Sequence, residues 1–513
     1  QIGPKVNVEQ NGYTAYPGLG RVNVIAVDAN NTQIMYAGAA AGGVWKTTDG
    51  GSTWTPKTDN LAGLGVTDII IDPNNSSILY MATGDENAQH ISSIGLFKST
   101  DAGDTWAATG LTFSLSENEY IRDLSFAPGS STIIFALTNG DIKKSTDSGA
   151  SWSNVITTPN YGTESFQTIV FDPNDATKAV VSDIWGGLWY SSDSGSNFTE
   201  HPVLQGASTN RLKLTASSND TDNFYGISQD GKFKKFRFAN DNTAADLISE
   251  VTINGYDSQG GYNQCLAVSP TDKNSIIVGG VRAYKSTDNG ATFAVYLNPY
   301  NDPAGVGFYV HPDHHHLSFL ADGATVINGH DGGVHKGLIT ATAASGGWTD
   351  ISNGLVISQP YNISITQSLN GDDYMMGNQD NDGFSKVLQG GTQKWVACLA
   401  GDGTSTGIDI SDSAIRYLGG TKGALYRSDN GYTNGYNAAV SILSNDNNAA
   451  FVSPLALHPT VATTIYAGHS DVKKSTDRGA NWTALNSGLT GTEFLDVSLN
   501  DNSTTTRIFA IGE

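Results

Sequence analysis

The residues of this chain best suited to chemistry fall in a few short polar loops. His311-Pro312-Asp313-His314-His315-His316 is the densest, and His330-Asp331-Gly332-Gly333 follows it. Six of the ten histidines lie between residues 311 and 335, which is too tight a grouping for compositional chance. Three further loops are rich in carboxylates and amides: Asn378-Gln379-Asp380-Asn381-Asp382-Gly383, Gly401-Asp402-Gly403 and Thr83-Gly84-Asp85-Glu86-Asn87. Imidazole with carboxylate suits a divalent transition metal, and alternate residues of a strand share a face. His311, Asp313 and His315 would then converge on a metal, with Asp331 as a fourth ligand. The same groups could instead hydrogen-bond a sugar or peptide, through His311, His314, His315, His330, Gln379, Asp380, Asn381 and Asp402. Paired carboxylates also serve glycoside hydrolysis. Asp313 and Asp331 are the catalytic candidates there, with Asp380 and Asp402 behind them. The bland alternative is a solvated rim of satisfied polar contacts.

Composition narrows these readings. A formal net charge of −22 over 513 residues repels nucleic acid and anionic lipid, and no basic cluster overrides it. No apolar run approaches the ~20 residues that span a bilayer. Cys265 and Cys398 are the only cysteines, too few for a disulfide framework and without zinc-finger spacing. One bridge between them is conceivable. The chain opens at Gln1 without a methionine. With few lysines and much Asn, Gly and Thr, that opening points to a processed, secreted or surface-displayed protein. Nine arginines spread along the chain give no evident cluster for a substrate carboxylate, which disfavours a sialidase.

These loops need a scaffold, and the sequence supplies a repeat. Ser/Thr-x-Asp-x-Gly-x-Thr/Ser/Asn-Trp/Phe occurs around Asp49, Asp101, Asp147, Asp193, Asp288 and Asp477, with a weaker copy at Arg427, Asp429, Gly431 and Thr433. Successive aspartates lie 52, 46, 46, 95, 141 and 48 residues apart. The two wide gaps are near two and three times 47, so three boxes have been lost and about ten repeats remain. Each repeat holds short β-rich runs between turn signals, such as Val22–Val27, Ile34–Ala37 and Gly43–Lys46 before the first box. Four strands per unit of about 45 residues is the signature of a β-propeller.

The boxes resemble the Asp-box (BNR) repeats of sialidases, family 74 glycoside hydrolases and sortilin-type receptors. The loops at 311–316, 330–333 and 379–383 resemble those of secreted bacterial sortilin-like BNR proteins, with one residue inserted before Gly383. The resemblance implies an all-β propeller of about ten four-stranded blades spanning residues 1–513 as a single array. N- and C-terminal strands would close one blade, and two smaller propellers are the alternative. It gives the box aspartates structural work and places B–C loops and blade-to-blade links on the ligand face. The expected function is a secreted or surface propeller that binds a glycan or protein, as part of a larger surface protein. The alternative is an extracellular glycan-cleaving enzyme. A divalent metal is the one cofactor to consider. Trp185, Tyr300 and Tyr309 could stack on sugars.

Overall fold

In a computed structural model the chain is built almost wholly of short antiparallel strands. The structure describes residue 4 and residues 19–61, 65–88, 91–157, 166–201, 210–238, 246–257, 259–299, 310–341, 347–366, 373–389, 392–399, 401–435, 439–485, 494–501 and 506–512. Tyr300, Tyr309 and the N-terminal run expected to close a blade lie outside the described residues. Ten four-stranded sheets follow one another, each a meander in which every strand pairs with the next. A hairpin, Phe494–Asp501 with Thr506–Gly512, comes last. The sheet count equals the repeat count read from the boxes. Among the described residues no helix is long and apolar enough to cross a membrane.

The chain divides into two compact units, residues 21–357 and residues 1–20 with 358–513. Seven sheets make up the first. Their leading strands are Val22–Val27, Val66–Ile71, Ile121–Phe126, Phe166–Asp172, Leu212–Ala216, Cys265–Val268 and His314–Phe319. Each packs beside the next, and the seventh packs back against the first. Trp54 fastens this closure by donating from Nε1 to the Ile351 carbonyl at 2.7 Å. Seven sheets thus close on themselves without the other three. The second unit holds the sheets spanning 360–399, 406–443 and 455–484.

The boxes form the turns between third and fourth strands. In the third sheet Ser145 Oγ accepts from the Gly149 amide at 2.8 Å and donates to Asp147 Oδ1 at 2.8 Å. Asp147 Oδ1 also takes the Ser151 amide, and its Oδ2 takes the Ser151 hydroxyl. The same bonds recur at Asp49, Asp101, Asp193, Asp288 and Asp477. The box glycine sits at positive φ, +87° at Gly149, where a Cβ would be strained. The weak copy proves to be shifted by one residue. Ser428 Oγ bonds Asn430 and the Tyr432 amide, while Asp429 pairs with Arg427 outside the motif.

Between sheets the core is apolar. Phe135 of the third sheet and Phe166, Phe171 and Phe198 of the fourth are buried together. Each such side chain contributes about 1.5–3 kcal/mol. Tyrosines of second strands then reach the next box, as Tyr80 does by donating to the Ser148 carbonyl at 2.9 Å. Cys265 and Cys398 are both buried and free, so no bridge joins them.

One irregularity recurs where it matters. The leading strands of the first, second, third, fourth and seventh sheets carry a β-bulge at Asn23, Thr67, Arg122, Gln167 and His315. A bulge inserts one residue and re-aims the side chains around it. The residues just after it include Asp68, Asp123 and His316. The pKa of each feels the charge of Lys213 of the fifth sheet.

Candidate functional site

At one end of the seven-sheet ring, the residues that enter the leading strands meet the turns between second and third strands. The Thr83–Asn87 turn supplies Asp85 and Glu86, which are 1% and 2% exposed. Arg21, leading into the first sheet, pairs with Asp85. Arg122, at its bulge, and Arg211, leading into the fifth sheet, both pair with Glu86 Oε1. Arg211 also donates to Gln167 Oε1. Burial pushes the Glu86 carboxyl up, but Arg211 and Arg122, helped by Lys213, override it and hold its pKa at about 2. The arginines that looked scattered in sequence therefore gather, three of them, around two acids. Each has a carboxylate partner.

Asp331 joins this network. Tyr262 Oη donates to its Oδ2 at 2.8 Å and His315 Nε2 lies 2.7 Å from its Oδ1. The Arg21 guanidinium sits over the Tyr262 ring, 5.1 Å from its centroid. A carboxylate only accepts, so the neutral His315 ring carries its proton on Nε2 and can accept at Nδ1 from Asn87, 3.2 Å away. Burial, then the charge of Arg21, hold the His315 pKa well below the usual histidine range. Asp313 accepts from Asn263 Nδ2.

The remaining histidines form a separate chain. The Gly332 amide donates to His330 Nδ1 at 3.0 Å, so the His330 proton sits on Nε2 and points to His335 Nδ1 at 2.7 Å. His311 stacks on His330 with centroids 6.0 Å apart. Gly332 permits this, since a Cβ there would come within 2.6 Å of the His311 side chain. His314 lies on Asn328, and burial lowers its pKa to about 3. Burial likewise lowers the pKa of His330 and His335.

The metal constellation expected from strand alternation is not what forms. His315 and Asp331 do meet, but His311 turns to His330 and Asp313 to Asn263. The reason is local. The strand begins at His314, Asp313 is left-handed at φ +64°, and the bulge falls on His315, so 311, 313 and 315 do not share a face. Among the described residues no group of three His, Cys, Asp or Glu side chains is arranged to hold a metal ion.

The other polar loops belong to the second unit. The Asp380 amide donates to Asp402 Oδ1 at 3.0 Å, and Asn381 Nδ2 donates to the Gln379 carbonyl at 3.1 Å. Asp380 and Asp382 are both left-handed, at φ +57° and +59°. Asp402 is partly exposed on the wall of a cavity of about 580 Å³, and burial raises its pKa despite the Asp380 amide. Asp402 is thus a carboxyl with access to a ligand-sized space, unlike Asp331. In the first unit Trp185 is 49% exposed on the turn after the second strand of the fourth sheet.

Sequence reading missed Arg21, Arg122, Arg211, Gln167, Tyr262 and Asn263. Their signal was register. Arg21, Arg122, Arg211 and Asp313 all stand at or just before the first residues of a leading strand. Aligning repeats on those strands rather than on the boxes would have brought them together.

No protein-family model matches the chain. It is 30% identical over 190 residues to the xyloglucanase Xgh74A of Acetivibrio thermocellus, covering 34% of this chain and 22% of that protein. It is 24% identical over 357 residues to a probable oligoxyloglucan-reducing end-specific xyloglucanase of Neosartorya fischeri, covering 58% and 43%. The matched stretch therefore spans about a fifth to two-fifths of these relatives' length. Among solved structures, the GH74 xyloglucanase of Xanthomonas campestris superposes with a TM-score of 0.59 at 15% identity, over 93% of this chain and 80% of that one. An ancestral GH74 enzyme gives 0.54 at 15% identity, over 99% and 82%. The fold of this chain is that of the GH74 β-propellers.

Proposed function

We propose that this chain is an extracellular glycan-acting propeller that cleaves a β-glucan-type polysaccharide. The observation that carries this reading is the sequence match to xyloglucanases, from 190 to 357 residues long, on a chain of the same fold. The acidic surface supports a neutral rather than a polyanionic glycan. Asp402 is the proton-donating carboxyl, because burial favours its protonated form while leaving it open to a cavity. Asp380, bonded to it through its amide, is the neighbouring carboxylate for the complementary base or nucleophile role. Asp313 and Asp331 are held by Asn263, Tyr262 and His315, and their part is to shape the ring end rather than to react.

A second reading is binding of the glycan without turnover. The burial and pairing of Asp85, Glu86 and Asp331 favours it, since these acids are committed to protein partners. Incubating the purified protein with xyloglucan, mixed-linkage glucan and carboxymethylcellulose separates the two. Release of new reducing ends from a neutral glucan is the expected result. Retention of the protein on an insoluble glucan with no reducing ends released leaves binding alone. Neither release nor retention ends both readings.

A further inference from the structure

The cavity beside Asp402 is walled by three segments of the second unit. Leu399, Gly401 and Asp402 come from the link between its first two sheets. Gly420, Thr421, Ala424 and Tyr426 come from a second-to-third-strand turn. Ser441, Leu443, Ser444 and Asn445 come from the end of the next fourth strand. At about 580 Å³ the space falls in the range of small-ligand sites. Its chemistry is that of a sugar site: one aromatic ring, apolar patches at Leu399, Ala424 and Leu443, and a rim of hydroxyls, one amide and one carboxyl.

The walls are braced from outside. The Gly403 amide donates to the Asn378 carbonyl at 3.1 Å and the Asp382 amide to the Gly401 carbonyl at 2.8 Å, which fixes the link. The turn is held from two sides. The Lys422 amide bonds the Phe451 carbonyl at 3.0 Å and its carbonyl takes the Asp446 amide at 2.8 Å. His469 lies 3.1 Å from Asp446 Oδ2 and 3.0 Å from the Ser444 carbonyl, supporting the third wall from the following sheet. A site fixed before its ligand arrives loses less entropy on binding. Gly420 keeps the floor open. A Cβ there would reach 3.5 Å from the Tyr426 ring and 3.7 Å from Leu399. Its φ of −94° would accept a side chain, so backbone conformation does not require the glycine.

We infer that this cavity is a subsite for an uncharged stretch of glycan, with the Tyr426 ring as its stacking platform and Asp402, Thr421, Ser441, Ser444 and Asn445 bonding sugar hydroxyls. The inference rests on the glycan-acting reading. It goes further in naming the place and the kind of sugar: a neutral gluco-oligosaccharide, because a uronate would meet a surface of net charge −22.

Isothermal titration of the full chain with a xylogluco-oligosaccharide, cellohexaose and oligogalacturonate tests it. The wild type should bind the two neutral sugars and not the acidic one. Tyr426→Ala should weaken binding at least 10-fold and Tyr426→Phe less than 3-fold. Gly420→Val, which fills the floor, should abolish binding, and an unchanged melting temperature controls for folding in each variant. Variants that melt like wild type and bind like wild type overturn the subsite, while reducing-end release by wild type would leave the glycan-acting reading standing. Absence of both binding and cleavage by wild type ends both.

Discussion

Two sets of aspartates in the seven-sheet ring meet opposite environments. Asp101, Asp147 and Asp288 stand exposed in their boxes, where side-chain hydroxyls and then backbone amides hold their pKa at about 2. Asp68 and Asp123 stand on leading strands, where burial dominates and raises them to about 6 and about 8. Asp68 accepts the Leu124 amide of the next sheet at 2.8 Å, and Asp123 the Ile169 amide of the one after at 2.7 Å. Both sets are structural, yet one staples a turn from outside and the other latches sheet to sheet from inside. Position in the repeat, not residue type, decides what a carboxylate does.

The comparison sharpens if the interior is broken first. Glu86→Gln leaves Arg122 and Arg211 buried without their counter-charge, and should cost about 3–5 kcal/mol in denaturant unfolding. A loss below about 1 kcal/mol would mean that water or a ligand screens these arginines. The box should be weaker. Ser145→Ala removes the buried hydroxyl that serves the Gly149 amide and Asp147, and should cost about 1–2 kcal/mol, measured in the same way.

The smallest effect is a pH profile. Box carboxylates have depressed pKa values, so their contribution is present above about pH 4 and fades as pH falls toward about 2. Asp123 has a raised value, so its folded form binds a proton that the unfolded chain has released. Its contribution is present at acid pH and is lost as pH rises through about 8. Burial is the chief cause. The Asp68 and Glu86 charges add to it, and Lys213 and the Ile169 amide oppose it. Melting temperature should therefore carry a fall from about pH 4 to about pH 8, levelling above that, and Asp123→Asn should flatten the fall. An unchanged slope in the variant would assign the fall to other groups.

Much of the fold was legible because its signals are local. A box carries its own hydrogen bonds, so Thr47, Asp49, Gly51 and Thr53 announce a hairpin wherever they occur. The shift at Ser428 shows the limit: Arg427 and Asp429 mimic the motif, but only a buried hydroxyl can serve the turn amides. Ring closure after seven sheets was not legible, because it rests on a contact between residues 54 and 351. Of the candidate site residues, the structure brings His315 to Asp331 and the Asp380 amide to Asp402. The bulges at Arg122, Gln167 and His315 break the two-residue period on which a strand's facing residues are counted, so the metal set was misdrawn and the arginines were passed over.

In the proposed function the buried acids of the ring hold the structure and the open acid of the second unit reacts. Asp331→Asn and Asp402→Asn, measured side by side with wild type for melting temperature and for reducing ends released from xyloglucan, test that assignment most directly. Asp331→Asn should melt lower but still cleave when folded, while Asp402→Asn should melt as wild type and lose at least 100-fold in turnover. A stable, inactive Asp331→Asn beside a fully active Asp402→Asn would contradict it.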